Sequence, residues 1–199
     1  AKSRFIEMFG EKKSSRQICD FVDRNISSAK KIYDDNSTIK YIDISSIDNK
    51  DFSIKFTAEY YFKDAPSRAQ QCVKEGDILV STVRPNLKNI AILNGDENNY
   101  VASSGFCILR SVKCPSEFLF GIIFSDDFTN KMISLTTGAN YPAIKDSDIL
   151  KYPVPDASLS EMTSFSAFIR QLDKSKFRIK KSLEKLEMTY KALLQEYFG

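Results

Sequence analysis

The sequence predicts an α+β protein, a mixed globule followed by a long C-terminal α-helix that forms an antiparallel coiled coil. Three observations predict it. Between Ser14 and Pro155 short apolar runs alternate with turn residues. Beyond Pro155 neither Gly nor Pro occurs until Gly199, and across that stretch apolar residues recur every three or four positions.

Within the globule, residues 39–44, 78–83, 90–93 and 106–109 are rich in Ile, Val, Leu and Phe and short enough for strands. Breaks fall at Gly76-Asp77, Pro85-Asn86, Asn94-Gly95 and Ser103-Ser104-Gly105. Helices are expected over 115–124, where Pro115 suits a first position, and over 126–135, where the first turn is acidic. Ser158 and Glu161 have capping-box spacing, so a helix begins there.

The apolar positions of that helix run Phe165, Ile169, Leu172, Lys176, Ile179, Leu183, Leu186, Tyr190, Leu193 and Tyr197. Only Lys176 interrupts the seam, as a register-fixing polar residue does in coiled coils. At ~1.5 Å per residue the helix spans roughly 60 Å, whereas a globule of ~140 residues is roughly 40 Å across. The helix therefore projects, and its seam (Phe165, Ile169, Leu172, Ile179, Leu183, Leu186, Tyr190, Leu193, Tyr197) is expected to dimerise. The alternative is a helix folded back over its own core.

Composition narrows the function. The chain of 199 residues is 42% hydrophobic and 28% charged, with net charge +3, which permits a polyanionic partner without demanding one. It contains no histidine, so the commonest general base and transition-metal ligand is missing. Cys19, Cys72, Cys107 and Cys114 form no CxxC pair and read as reduced thiols. No catalytic residue, metal or cofactor is expected. No apolar run resembles a membrane span or signal peptide, so the expected location is the cytoplasm, with no membrane partner.

Residues 2–10 can be laid over 191–199 with Lys, Glu, Phe and Gly coinciding. This suggests a tandem plan: residues 1–10 the end of a preceding helix or an N-terminal arm, 11–157 the globule, and 158–199 the dimerisation helix.

Six stretches, in order, resemble the specificity subunits of type I restriction-modification systems. They are Ile39-Lys-Tyr-Ile-Asp-Ile-Ser-Ser46, Ala65-Pro-Ser-Arg-Ala69, Gly76-Asp-Ile-Leu-Val-Ser-Thr-Val-Arg-Pro85, Val101-Ala-Ser-Ser-Gly-Phe106, Thr137-Gly-Ala-Asn-Tyr-Pro-Ala-Ile144 and the terminal heptad helix. The chain departs from the pattern near residues 25–28, where the usual Gly is absent, and before the helix, where the Pro-rich segment is short. The resemblance implies a target-recognition domain that binds double-stranded DNA. It also implies partner methyltransferase and restriction subunits that carry the catalysis, and one half-target read per domain.

A reader of base edges needs donors and acceptors on loops held by a rigid core. The candidates are Ser67 and Arg68; Arg84, Asn86 and Lys88; Ser103 and Ser104; and Asn140, Tyr141 and Lys145. Each has a plainer reading: turns for residues 103–105, loop-shaping for 138–144, a solvated charge for Arg84. A methyltransferase reading fails because Asn140-Tyr-Pro-Ala143 has the wrong order for a base-methylation motif, and a nuclease reading because Glu11-Lys-Lys13 stands alone. The remaining alternative is a coiled-coil scaffold or adaptor that never touches DNA.

Overall fold

The structure is a computed structural model; its described residues are 2–95, 99–138 and 142–198, the side chains of Glu196 and Phe198 excepted. Its helices are α1 (Lys2–Phe9), α2 (Ser116–Ile123), α3 (Asp126–Ser134), α4 (Asp146–Leu150) and α5 (Leu159–Phe198). In chain order the strands are β1 (Arg16–Gln17), β2 (Val22–Asp23), β3 (Thr38–Ile42), β4 (Ile47–Asp48), β5 (Ser53–Ile54), β6 (Ala58–Tyr61), β7 (Ala69–Cys72), β8 (Ile78–Ser81), β9 (Ile90–Ile92), β10 (Tyr100–Ser103), β11 (Phe106–Ser111) and β12 (Pro153–Val154).

Two four-stranded sheets face each other, ordered β2-β11-β8-β9 and β6-β3-β10-β7. All their pairings are antiparallel except β3 with β10. Side-chain alternation explains why β8 and β11 read as unbroken apolar runs. Ile78, Val80, Cys107 and Leu109 face a helical layer, while Leu79, Phe106 and Ile108 join Ile42, Val73 and Ala102 between the sheets. Ile39, Tyr41 and Val101 cover the outer face of the second sheet. The layers are thus helix, sheet, sheet.

α2 and α3 fall where their capping signals put them. Pro115 precedes α2, and the Ser125 hydroxyl accepts from Phe128 N at 3.1 Å. Strand β10 escaped the sequence reading although it lies between β3 and β7, because its Tyr-Val-Ala-Ser segment is short and carries two small residues. Residues 43–44 and 82–83, read as strand ends, lie beyond β3 and β8; Asp43 instead caps a 3-10 turn, Ile44–Ser46.

The helical layer is closed by four rings. Phe5 and Phe9 of α1 meet Phe165 of α5 with centroids 5.3 and 5.8 Å apart, and Phe9 meets Phe118 of α2 at 5.2 Å. Gly121 permits this approach, since a Cβ there would lie 2.7 Å from Phe5 Cδ2 and 3.0 Å from Phe165 Cε1. Helix α1 is thereby docked on the core through Phe5 and Phe9.

α5 starts as its capping box requires, with Ser158 N donating to Glu161 Oε2 at 2.9 Å and Glu161 N to Ser158 Oγ at 3.3 Å. Met162, Phe165 and Ser166 are buried and Ile169 packs on the core, but every described residue from Arg170 onward is exposed. Two members of the expected seam are corrected here. Phe165, 1% exposed, and Ile169 are used inside the chain's own globule, because the helix leaves the core only after them. Leu172, Ile179, Leu183, Leu186, Tyr190, Leu193 and Tyr197 remain uncovered. Only the first three turns lie on the core, so the fold-back alternative fails for the rest.

Candidate nucleic-acid interface

Four segments distant in sequence are stitched together by backbone hydrogen bonds. Ser104 N donates to Arg68 O at 2.9 Å, Thr82 N to Gly105 O at 3.0 Å, Ile144 N to Thr82 O at 2.9 Å, and Arg84 N to Pro142 O at 2.8 Å. At one end of the sheets the 82–84 segment therefore bonds residues 142–144 on one side and the 103–105 turn on the other, and that turn in its own right bonds Arg68. Bridges from Ala143 to both Val83 and Thr137 extend the contact.

At this cluster Ser67, Arg68, Arg84, Asn86, Ser104 and Lys145 are exposed. Arg84 and Lys88 both have φ of 50° and bracket the 3-10 turn Pro85–Leu87. Left-handed backbone at a non-glycine residue costs about 1–3 kcal/mol and persists where surroundings impose it. Here the Arg84–Pro142 bond on one side and a 3.1 Å bond from Asn49 Nδ2 to Leu87 O on the other impose it. Lys145 doubles as the residue preceding α4, its N–H donating to Asp148 Oδ2 at 2.8 Å.

Two candidates are corrected. Ser103 is fully buried, and its hydroxyl accepts from Gly105 N at 3.3 Å and bonds the Tyr41 phenol, so it shapes the turn instead of meeting phosphate. Burial pushes that phenol up, with Ser103 and the nearby Arg68 charge pulling it part-way back. Lys88 turns away from solvent, its Nζ 2.9 Å from Asp126 Oδ1 and 5.7 Å from the Phe124 ring centre. Lys2 pairs with the same carboxylate, and the two ammonium groups hold Asp126 at about 2, below the ordinary carboxylate range. Asn140 and Tyr141 lie outside the described residues.

The supports of the cluster were not among the sequence candidates. Gln71 Nε2 donates to Ser103 O at 3.0 Å and Phe106 O at 2.8 Å, pinning both ends of the 103–106 turn. Thr82 Oγ1 donates to Gly105 O at 3.0 Å. At the opposite end of these strands Arg110 grips the buried Asp77 through Nε and one terminal nitrogen, at 2.9 and 2.7 Å, and reaches Cys72 O at 3.2 Å. No local signal marks such residues, since each pair is joined only by the fold. Among the described residues no group of three or more Cys, Asp or Glu is placed to hold a metal ion, and no helix is long and apolar enough to cross a membrane.

Comparison with known proteins agrees with this architecture. Residues 11–188 match the family model described as type I restriction modification DNA specificity domain. The chain is 33% identical over 101 residues to the type I restriction enzyme HindI specificity subunit of Haemophilus influenzae, covering 47% of this chain and 22% of that protein. It is 25% identical over 147 residues to the MjaVIII specificity subunit of Methanocaldococcus jannaschii, covering 71% of this chain and 34% of the relative. The crystal structure of the HsdS subunit from Thermoanaerobacter tengcongensis superposes with TM-score 0.70 at 28% identity, covering 90% of this chain and 46% of that one. A chain from a structure of complex assembly in the type I R-M system gives TM-score 0.70 at 27% identity, covering 90% and 47%. The chain thus spans between a fifth and a half of the length of these relatives. With a family match over nearly its whole length and the same fold, the chain belongs to the type I restriction-modification DNA specificity domain family.

Proposed function

We propose that this chain is a non-catalytic reader of double-stranded DNA, recognising one half of a split target through the loop cluster around Arg68, Arg84 and Ser104. In this reading residues 11–157, completed by α1, form the target-recognition domain, and 158–199 the pairing helix. The helix binds a second copy antiparallel to itself, giving a homodimer with a reading head at each end and a two-fold axis that matches a symmetric target. Methyltransferase and restriction subunits dock on that assembly in the cytoplasm and supply the chemistry.

The observation that carries the DNA reading is the convergence of the four loop segments, which presents exposed cations and hydroxyls on a backbone-locked support. Exposed apolar side chains from Leu172 to Tyr197 support the pairing. Duplex binding titrated at several salt concentrations tests the first part: a DNA reader loses affinity steeply as salt rises. A salt-independent or absent response returns the adaptor reading. Sedimentation across concentrations tests the second, and a monomer throughout overturns the homodimer.

A further inference from the structure

Given that pairing, on which this inference rests, we infer its register: the two-fold axis passes between Glu184 and Lys185. Lys180 of each helix then faces Glu187 of the other.

The seam is uncovered only from Leu172 to Tyr197. Mirrored about the 184–185 peptide, Leu183 meets Leu186, Ile179 meets Tyr190, Lys176 meets Leu193 and Leu172 meets Tyr197, so every uncovered seam residue is used. Lys176 is compatible with such a layer because its charge is met by Asp51 Oδ1, 2.8 Å away, and a lysine's methylene stem packs on apolar surface while its charged head is partnered elsewhere.

Sliding one step toward the globules centres the pair on Lys181 and sets Tyr197 of the second copy against Phe165, which is buried and inaccessible. Sliding one step outward centres it on Met188 and leaves Leu172 and Lys176 without partners.

Charge selects the same register. The residues beside the seam on one flank are Asp173, Lys180, Glu187 and Leu194, and in an antiparallel pair this flank meets its own copy. The inferred axis brings Lys180 to Glu187 twice. The inward slide brings Lys180 to Lys180 and Asp173 to Glu187, and the outward slide brings Glu187 to Glu187. Only the inferred register contains no like-charge contact along this flank.

The same arrangement sets Leu194 of the second copy opposite Asp173, at a cleft of about 500 Å³ where α5 leaves the globule. Phe52, Phe120, Phe124 and Phe177 line it. An apolar side chain is what such a cleft accepts. The points where the helices leave their globules come to lie roughly 45 Å apart, at ~1.5 Å per residue from Ile169 to the axis. That distance sets the spacing of the reading heads.

Charge reversal tests the register at low salt. K180E and E187K each convert two attractive contacts into two repulsive ones, raising the dimer Kd roughly tenfold on the scale of exposed pairs, and the double variant K180E/E187K restores it to within about twofold. Mixing the two single variants, one carrying a mass tag, makes the heterodimer the dominant species in native mass spectrometry, since both its flanks are then complementary. Single variants that dimerise like the parent, or a double variant that fails to recover, overturn this register while leaving the homodimer standing. A parent chain that never dimerises removes the pairing itself.

Discussion

Lys176 Nζ stands 2.8 Å from Asp51 Oδ1, joining the one polar position of the helical seam to a loop 125 residues earlier in the chain. A second rung lies three turns from the helix start, where Arg170 grips Glu117 of α2 through Nε and a terminal nitrogen. Beyond the last buried side chains these two bridges govern how α5 leaves the globule. A lysine that interrupts an apolar stripe is thereby explained by its partner in the globule, not by the stripe itself.

Replacing Asp51 or Lys176 by Ala is expected to loosen the root of α5 without unfolding the protein. Both groups are exposed, so the change in global stability is at most about 1 kcal/mol. Hydrogen exchange at residues 171–180 should rise several-fold in either variant. Unchanged exchange there would show the bridge to be incidental.

The buried pair behaves differently. Asp77 is 1% exposed and Arg110 is its bidentate partner, so Arg110→Ala strands a carboxylate in the core and costs about 3–5 kcal/mol in urea unfolding. Asp77→Asn keeps an acceptor for Lys74 N, which lies 2.9 Å away, and should cost less.

Neighbouring residues of the loop cluster should separate into support and surface. Ser103→Ala removes a buried hydroxyl from Gly105 N and the Tyr41 phenol and should lower stability by about 1–3 kcal/mol, with duplex affinity of the folded protein unchanged. Arg68→Ala and Arg84→Ala should leave the melting temperature near the parent's and weaken duplex binding about fivefold or more, each reducing the salt slope by about one if it meets phosphate. Anisotropy titrations at several salt concentrations read the difference.

Acid should undo the helical end of the globule first. Glu161 is held at about 2 by the Lys12 ammonium, 2.8 Å away, and by the Ser158 N–H and hydroxyl. Asp126 is held at about 2 by Lys2 and Lys88. Both are depressed below their unfolded values near 4, so the unfolded chain takes up protons more readily. Their contribution is complete above the ordinary carboxylate range and disappears as pH falls from there through about 2. Exchange at α1 and the start of α5 should accelerate across that window, and Lys12→Ala should weaken the pH dependence at α5.

Much of this was legible in residue order because it is local. Turn chemistry places the breaks around Gly76, Pro85 and Asn94, capping places α2, α3 and α5, and the 3–4 spacing announces a projecting helix whose exposed length the fold bears out. The loop candidates were legible as residue types, and six of the eight described ones are exposed at one cluster.

Sequence by itself determined the four strongly apolar strands, the helices with clear start signals, the absence of histidine chemistry and the excess length of the last helix, since each depends on neighbours within a few positions. Tertiary structure alone decided that Phe165 belongs to the core, that Ser103 and Lys88 turn away from the loop surface, and that Gln71, Asp77 and Asp51 do the holding. The reason is physical: burial and hydrogen-bond partnership are relations between residues that the chain brings together only by folding, and nothing in a side chain's own chemistry announces its distant partner.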